Sequence, residues 1–333
     1  MNFVINTNYK ESAGTIVLNG LEKRIRDTGH NVANNDWVNY SRYDVAIFMA
    51  PDSKISEAKA VNPKLVCVLF DPKVTLSWQI KEVESADLLI VSSIEQKNAL
   101  LKHNKNIFVY YMFPDTPEIK KEHTEKDKVI IGYHGNKQHL DAMRDLSWAL
   151  DELSKNFQIE FWAIYNISKL GKWRRNVPKL CHVKHIQWLE GDVVQNLSQC
   201  DIGVVPSTVP ASSIFSRPLR SFFYNPEGYH NNDYVQRFKF SNNPGRIYVF
   251  SQLHIPVVAD FTPSSCQIIR DGESGFLVGT KEGWHEALKM LVINAKMRND
   301  FSINMKKVLD SNYSIERNFQ DFLLFIRDIK TKI

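Results

Sequence analysis

The chain has 333 residues and a mass of 38.5 kDa, more than one hydrophobic core usually fills, so we expect two domains. With 43% apolar and 24% charged residues, the composition is that of a soluble globular protein and excludes a disordered or fibrous chain. No stretch reaches the roughly 20 apolar residues that a membrane-spanning helix needs. Residues 1–5 predict a strand and show no basic leader or cleavage site, so we expect no signal peptide and a cytoplasmic protein.

The positions of the cysteines and charges bear on the cellular compartment, on metal binding and on the charge of a ligand. The four cysteines form no close pair and no zinc-finger spacing with histidine, which predicts free thiols in a reducing compartment. His182 and His185 would point to opposite faces of a strand, so we expect no metal site there. Residues 1–125 hold 15 basic and 16 acidic residues, whereas the remainder holds 27 and 21. The excess positive charge in the second half fits either an anionic ligand or an ordinary solvated surface.

Residues 1–115 alternate short apolar runs with amphipathic stretches. Apolar runs at 3–6, 44–49, 64–70, 88–92 and 107–112 predict strands of a parallel sheet that is buried on both faces. Stretches near 15–28, 53–60, 74–86 and 94–103 predict helices. This alternation predicts a Rossmann-like, doubly wound N-terminal domain. Prolines and charges around 113–127 predict a linker, which we place at 116–127.

The alternation restarts after the linker and predicts a second Rossmann-like domain over 128–312. We expect strands at 129–131, 158–164, 183–186, 201–205, 256–259 and 275–278. We expect helices at 139–154, 192–199, 245–253, 264–270, 282–293 and 297–310. A closing helix over 313–333 has an apolar stripe, which favours packing on the body of the protein. The N-terminal domain is a candidate surface for this packing, and a membrane-surface helix is the alternative. Two tandem α/β domains predict an interdomain cleft at the carboxyl ends of both sheets, where such sheets bind ligands.

Several common motifs are absent. The chain has no G-x-G-x-x-G, no P-loop and no G-x-S-x-G, which disfavours dinucleotide enzymes, P-loop NTPases and α/β-hydrolases. No short Asp-x-Asp occurs either, so the sequence does not support a metal-bridged diphosphate site.

Two segments of the second half predict an anion site. Residues 132–137, Gly-Tyr-His-Gly-Asn-Lys, follow a predicted strand, and the two glycines let the backbone and its N–H groups approach a ligand. Lys239 and Arg246 bracket the predicted start of a helix, where Pro244 fits the first turn and the helix dipole is positive. A helix N-terminus between two cations favours a diphosphate group.

As a set, four segments resemble the glycosyltransferases of the GT-B fold, especially the glycosyltransferase family 4 type. They are Gly-Tyr-His-Gly at 132–135, Asp-Ile-Gly-Val-Val-Pro-Ser at 201–207, Arg-Ile-Tyr-Val-Phe-Ser-Gln-Leu-His-Ile-Pro-Val-Val-Ala at 246–259, and Ile-Arg-Asp-Gly-Glu-Ser-Gly-Phe-Leu-Val at 269–278. They occur in the family's order across about 129–315. Val249 and Gln267 stand where family 4 members usually carry glutamates, a departure that bears on the exact family and on the stereochemical outcome.

The resemblance implies a nucleotide-sugar donor held mainly by the second domain, an acceptor held mainly by the first, and neither a metal nor a cofactor. It implies that Lys239 and Arg246 stabilise the leaving diphosphate, and that Gly135 lies at the donor phosphates. The other donor-binding candidates are His134, Asn136, Trp188, Glu190, Asn243 and Gly245. A hexosyl transfer in polysaccharide biosynthesis, to a hydroxyl of a glycan or lipid-linked acceptor, is therefore expected.

The mechanism we favour from the resemblance is retaining, with the leaving diphosphate acting as base. Asp71, at a strand end in the first domain, would be the base of an inverting alternative, although an Asp there also fits a helix N-cap. Two other functions stay open: a nucleotide-sugar epimerase with Glu190 and Asp71 as acid and base, and a non-catalytic nucleotide or nucleic-acid-binding module. As binding partners we expect a nucleotide sugar and the acceptor, and no nucleic acid. A peripheral contact with the inner membrane face stays open. The segment 208–238, rich in aromatics and arginines, fits either a ligand contact or ordinary loop packing.

Overall fold

The structure is a computed structural model that describes residues 1–9, 13–49, 53–72, 77–210, 236–238 and 243–333. The chain divides into two compact units. Of the described residues, the first unit holds those up to Asp115, residues 243–245 and Asn312–Ile333, and the second unit holds the rest. Both units are parallel six-stranded sheets flanked by helices, so the predicted α/β class with two Rossmann-like sheets is confirmed.

The sheet of the first unit has the strand order β2-β1-β3-β4-β5-β6, with all neighbours parallel. Its strands are β1 (Asn2–Thr7), β2 (Asn31–Asn34), β3 (Val45–Met49), β4 (Val66–Phe70), β5 (Leu88–Val91) and β6 (Ile107–Val109). The helices between them are α1 (Ala13–Asp27), α2 (Ile55–Val61), α3 (Ser77–Ser85) and α4 (Ile94–Leu100), with a 3-10 turn at Tyr40–Arg42. The central strands are buried throughout because helices cover both faces, which explains their unbroken apolar runs.

The last helix of the chain packs on this first sheet. This helix, numbered α13 (Ile315–Lys332), contributes five apolar side chains to the same core as β1, β3 and β4. Phe322 is fully buried, and its ring lies 5.9 Å from that of Phe108 and 6.0 Å from that of Tyr110. Asn318 fixes the register, since its Oδ1 accepts from the Tyr111 N–H at 2.8 Å and its Nδ2 donates to the Val109 carbonyl. The apolar stripe of this helix is therefore covered by protein.

The sheet of the second unit has the strand order β14-β13-β10-β7-β8-β9. Its strands are β7 (Lys128–His134), β8 (Gln158–Tyr165), β9 (His182–Gln187), β10 (Ile202–Val205), β13 (Val257–Asp260) and β14 (Phe276–Val278). Two further strands, β11 (Thr208–Pro210) and β12 (Gln236–Phe238), form a separate antiparallel pair. The helices are α5 (Lys137–Ala142), α6 (Arg144–Ser154), α7 (Ile167–Leu170), α8 (Val193–Ser198), α9 (Gly245–Gln252), α10 (Pro263–Ile268), α11 (Lys281–Val292) and α12 (Ala295–Asn312).

The strand order of the second unit reverses direction beside β7. From β7 the chain adds β8 and β9 on one side, then crosses back and adds β10, β13 and β14 on the other side. The carboxyl ends of β7 and β10 therefore flank a topological switch point, where open α/β sheets bind their ligands.

Two features of the second unit were not apparent from the sequence. The helix expected over 139–154 is two helices, because Met143 leaves the helical conformation (φ −94°, ψ 69°) and the Asp141 carbonyl accepts from Asn176 Nδ2. The segment expected to be a linker, 116–127, makes polar contacts within the second unit: Lys121 Nζ donates to the Cys200 carbonyl at 2.6 Å, and the His123 N–H donates to Asn299 Oδ1 at 2.8 Å. Polar side chains, not apolar periodicity, hold this segment.

Gly132 has a packing role that differs from the expected ligand approach. A Cβ at Gly132 would lie 2.5 Å from the Cys200 sulfur, so the missing side chain makes room for a core residue of its own sheet. Cys67, Cys181 and Cys200 are buried, Cys266 is exposed, and all four are free thiols. No helix within the described ranges is both long enough and apolar enough to cross a bilayer.

Candidate functional site

Arg246 lies at the switch point of the second sheet. It is the second residue of α9, and its Nη2 donates to the Pro206 carbonyl and to Ser207 Oγ, both at 2.8 Å. Pro206 and Ser207 follow β10 directly, so Arg246 spans from the start of α9 to the carboxyl end of that strand. These two bonds give a half-buried guanidinium a fixed orientation.

Gly135 lies against the same side chain. Its φ of +139° is one that residues with a side chain rarely adopt. A Cβ at Gly135 would lie 3.0 Å from the Tyr133 hydroxyl and 3.3 Å from Arg246 Cδ. The Gly135 N–H donates to the Ile164 carbonyl at 3.1 Å, so this amide belongs to the sheet and Gly135 contributes space instead of a phosphate donor.

The charge of Arg246 is only partly satisfied by its surroundings. Its guanidinium carbon lies 5.7 Å from the centroid of the Tyr133 ring, within cation–π range. Burial lowers the pKa of Arg246, while Tyr133 and the Asp260 carboxylate oppose that effect. Its Nη1 is buried and has no hydrogen-bond partner among the described residues. A desolvated cation with a spare donor favours an anionic ligand.

Ser207 bonds to Arg246 and Asp260 bonds to Ser207, and neither Ser207 nor Asp260 was among the site residues predicted from the sequence. Asp260 ends β13, and its Oδ2 accepts from the Ser207 N–H at 2.6 Å. Both residues are 2% exposed. Ser207 ends the segment 201–207 that carried the family resemblance, and this position after a buried strand was the signal that could have identified it.

His134, the last residue of β7, is adjacent to Arg246 in space. Its ring meets the Phe250 ring edge-on, with 5.2 Å between centroids. Burial, and then the Arg246 charge, lower the pKa of His134 to about 3, against a hydrogen bond with the Arg246 backbone. The imidazole is therefore neutral at physiological pH. Its Nε2 is a second buried atom without a hydrogen-bond partner among the residues described.

Asn136 and Asn243 both hold helix starts. Asn136 Oδ1 accepts from the Gln138 N–H at 2.9 Å as the N-cap of α5, and the Tyr133 hydroxyl donates to the Asn136 carbonyl. Asn243 Oδ1 accepts from the Gly245 N–H at 2.9 Å where α9 begins. Their side-chain oxygens thus order the loops in which these candidate residues lie.

Trp188 and Glu190 follow β9, at the same edge of the sheet but two strands away from β7. The Trp188 N–H donates to the Tyr165 carbonyl at 2.9 Å, and its side chain is half-buried. Glu190 is exposed. In the described part of the chain, no hydrogen bond, ion pair or ring contact joins either residue to Gly135 or Arg246.

Asp71 lies in the first unit, directly after β4. Its backbone is in the left-handed region (φ 48°), which is uncommon for a residue with a side chain. Gln96 is 4% exposed, and its Nε2 donates to Asp71 Oδ1 at 3.3 Å and to the Pro72 carbonyl at 3.0 Å. Gln96 Oε1 in turn accepts from the N–H of Ser92. This network orients the Asp71 carboxylate at a strand end.

The remaining candidates fall outside the described part of the chain. Lys239 lies there, as does most of the segment 208–238, of which the described residues are those of β11 and β12. Within the described ranges, no group of three His, Cys, Asp or Glu residues could hold a metal ion.

No family model matches the chain, and no curated protein matches it. Its structure is similar to several solved structures. The Anabaena protein Alr3699/HepE in complex with UDP and glucose aligns over 98% of this chain and 99% of that chain, with a TM-score of 0.61 and 11% identity. A glycosyltransferase from Rickettsia africae aligns over 98% of both chains, with a TM-score of 0.62 and 11% identity. Sucrose-phosphate synthase from Thermosynechococcus elongatus aligns over 100% of both chains, with a TM-score of 0.59 and 11% identity. The chain therefore has the GT-B fold.

Proposed function

We propose that the protein is a glycosyltransferase that moves a sugar from a nucleotide diphosphate donor to a hydroxyl of a glycan or lipid-linked acceptor. The observation that carries the proposal is Arg246, which lies at a helix start and a topological switch point with a buried, unpartnered donor atom. Support at the level of fold comes from similar structures that are named glycosyltransferases or were solved with UDP and glucose.

Arg246 is suited to stabilise a leaving diphosphate. In the proposed reaction the bond from the sugar C1 to the β-phosphate oxygen breaks, and its electron pair stays on the phosphate. The acceptor oxygen bonds to C1. Negative charge then grows on the diphosphate while Arg246 stays in place, because Pro206 and Ser207 already hold it. Such a fixed, partly desolvated cation stabilises the transition state more than the ground state.

The preferred mechanism is retaining and independent of metal, so the acceptor proton passes to an oxygen of the leaving diphosphate. In the inverting alternative, Asp71 accepts this proton, and Gln96 holds its carboxylate. The proposal assigns Lys239 to the diphosphate. It places Gly135, His134 and Asn136 beside the donor phosphates, where Gly135 supplies space for a close approach instead of a hydrogen bond.

The remaining donor contacts are proposed to lie further along the second sheet and at the start of α9. Trp188 and Glu190 would seat the base and ribose, and Asn243 and Gly245 would shape the start of α9 around the diphosphate. The proposal includes no cofactor, and it places the enzyme in the cytoplasm.

Titration calorimetry with UDP, GDP and ADP tests the donor side of this proposal. We expect micromolar affinity for one diphosphate and about a hundredfold weaker affinity in Arg246→Ala. Arg270→Ala, which removes an exposed arginine of the same unit, is the matched control and should bind like the wild type.

Two further measurements separate the alternative functions. Salt-sensitive oligonucleotide binding, without binding of a nucleotide diphosphate, would favour a nucleic-acid-binding module. For a glycosyltransferase, incubation with different nucleotide sugars in the absence of acceptor would identify the donor, because the enzyme should hydrolyse that nucleotide sugar slowly. An epimerised sugar as the product would instead favour the epimerase.

A further inference from the structure

A stretch of positive charge without any acidic residue lies on the second unit. No Asp or Glu occurs between positions 161 and 189. Within it, residues 169–180, called here the basic loop, hold five exposed cations, and none of their side chains is hydrogen-bonded or ion-paired within the described ranges. These cations are Lys169, Lys172, Arg174, Arg175 and Lys179.

The backbone of the basic loop is ordered by contacts that do not use these cations. Trp173 is 2% exposed, its N–H donates to the Tyr165 hydroxyl at 2.8 Å, and its indole N–H donates to the Arg175 carbonyl at 2.6 Å. Asn176 Nδ2 donates to the Asp141 carbonyl at 2.7 Å. Since the loop is already in place, a partner does not have to order it on binding.

Two carboxylates lie near the basic loop and reduce its charge only in part. Asp151 accepts from the N–H groups of Lys179, Leu180 and Cys181 at 2.9, 2.7 and 3.1 Å, so its oxygens are engaged by backbone. Asp141 contributes negative potential at Tyr165. Five cations against these two carboxylates leave the surface positive.

The exposed apolar side chain of the loop favours a lipid partner over a nucleic acid. Leu180 is 61% exposed and directly follows Lys179. Proteins that bind single-stranded nucleic acid usually combine cations with exposed aromatic rings for stacking, but the aromatic residue of this loop, Trp173, is buried. Exposed cations on the same loop as an exposed aliphatic side chain instead match a lipid surface, which attracts lysine and arginine at its headgroups and accepts leucine below them.

We propose that the basic loop docks the protein on the surface of an anionic lipid bilayer. In this arrangement the five cations contact the headgroups and Leu180 enters the boundary of the acyl chains. The proposal concerns a surface that the glycosyl transfer proposed above does not use, and binding to vesicles can be measured without any activity.

Vesicle sedimentation with the full chain tests the proposal. The vesicles contain phosphatidylcholine alone or equal parts of phosphatidylcholine and phosphatidylglycerol. The variant changes Lys169, Lys172, Arg174 and Arg175 to Gln, and the matched control changes the exposed Lys23, Lys64, Lys102 and Lys105 of the first unit to Gln. Leu180→Ser is measured separately, and thermal unfolding checks that each variant is folded.

The wild type and the control should sediment with the phosphatidylglycerol vesicles and not with phosphatidylcholine alone. The loop variant should partition at least about tenfold more weakly, since each cation near an anionic surface typically strengthens binding severalfold. Salt at about 0.5 M should release the wild type, and Leu180→Ser should be released at lower salt. Equal sedimentation of variant and wild type would overturn the proposal. So would binding of polyphosphate or an oligonucleotide without binding of vesicles, because the surface would then serve soluble polyanions.

Discussion

Arg246 packs against the space that Gly135 leaves open: its Cδ lies 3.3 Å from the position of the missing Cβ, and the Tyr133 hydroxyl borders the same space at 3.0 Å. The two residues come from different segments, yet the absence of a side chain at one determines where the other can lie. Gly135→Ala should therefore displace the guanidinium and also strain a backbone with φ of +139°.

We expect Gly135→Ala to lower the unfolding free energy by about 1–3 kcal/mol and to weaken nucleotide binding at the same time. Gly171→Ala is the matched control, since Gly171 has a φ of +69° but nothing within 4 Å of a new Cβ. Denaturant unfolding and titration calorimetry measure both effects. If the two variants lost nucleotide affinity equally, the contact with Arg246 would not be the cause.

Arg246→Ala should lower kcat by about 10²–10³ if Arg246 stabilises the leaving diphosphate, because one fixed electrostatic contact is typically worth about 3–4 kcal/mol in the transition state. The loss of stability should be much smaller, since burial of this cation already carries a desolvation cost. Steady-state kinetics and thermal unfolding test this together. A variant with unchanged kcat would remove Arg246 from the mechanism.

Asp71→Asn separates the retaining mechanism from the inverting one. In the retaining mechanism the diphosphate takes the proton, so we expect kcat to stay within about tenfold of the wild type. A loss of about 10³ or more would point to Asp71 as the base. The anomeric configuration of the product, read by NMR, is the independent measurement, and inversion there would contradict the preferred mechanism.

The buried His123 predicts weaker stability in acid. Burial lowers its pKa to about 4 in the folded protein, from an ordinary value of 6.5. Between these values the unfolded chain binds a proton that the folded protein does not, so the unfolding free energy falls as the pH falls from about 6.5 to 4. Urea unfolding at several pH values should show a shallower loss for His123→Gln. An unchanged pH slope in His123→Gln would remove His123 from this effect.

Phe322→Ala tests the contribution of α13 to the first unit. Removing this fully buried ring should lower the unfolding free energy by about 3–5 kcal/mol. Leu324→Ala, two residues on and 59% exposed, should cost less than about 0.5 kcal/mol. Urea unfolding monitored by hydrogen exchange in β1 and β3–β6 would locate the effect, and equal effects of the two variants would contradict it.

Sequence patterns predicted the sheets well because the sequences of buried parallel strands are continuous apolar runs. β4 is an example, with all five residues buried on both faces. The pattern did not reveal the break at Met143 or the docking of the segment around His123, since both depend on polar side chains from distant parts of the chain.

The same limit applies to the candidate site. Arg246 could be selected from its place at a predicted helix start, but its two anchors could not. The bonds from Arg246 to Ser207 and from Ser207 to Asp260 join residues 39 and 53 positions apart. Local periodicity carries no information about such pairs, so Ser207 and Asp260 emerged only from the structure.

The contribution of α13 to the first sheet also has a consequence during synthesis. All residues of the second unit precede position 312, whereas the hydrophobic core around β1 stays incomplete until Phe319–Ile329 have been made. The strands of the first unit are made early, yet one face of their sheet stays incompletely covered until α13 has emerged from the ribosome. Nascent chains in which α13 has not yet emerged should accordingly be the ones that bind chaperones.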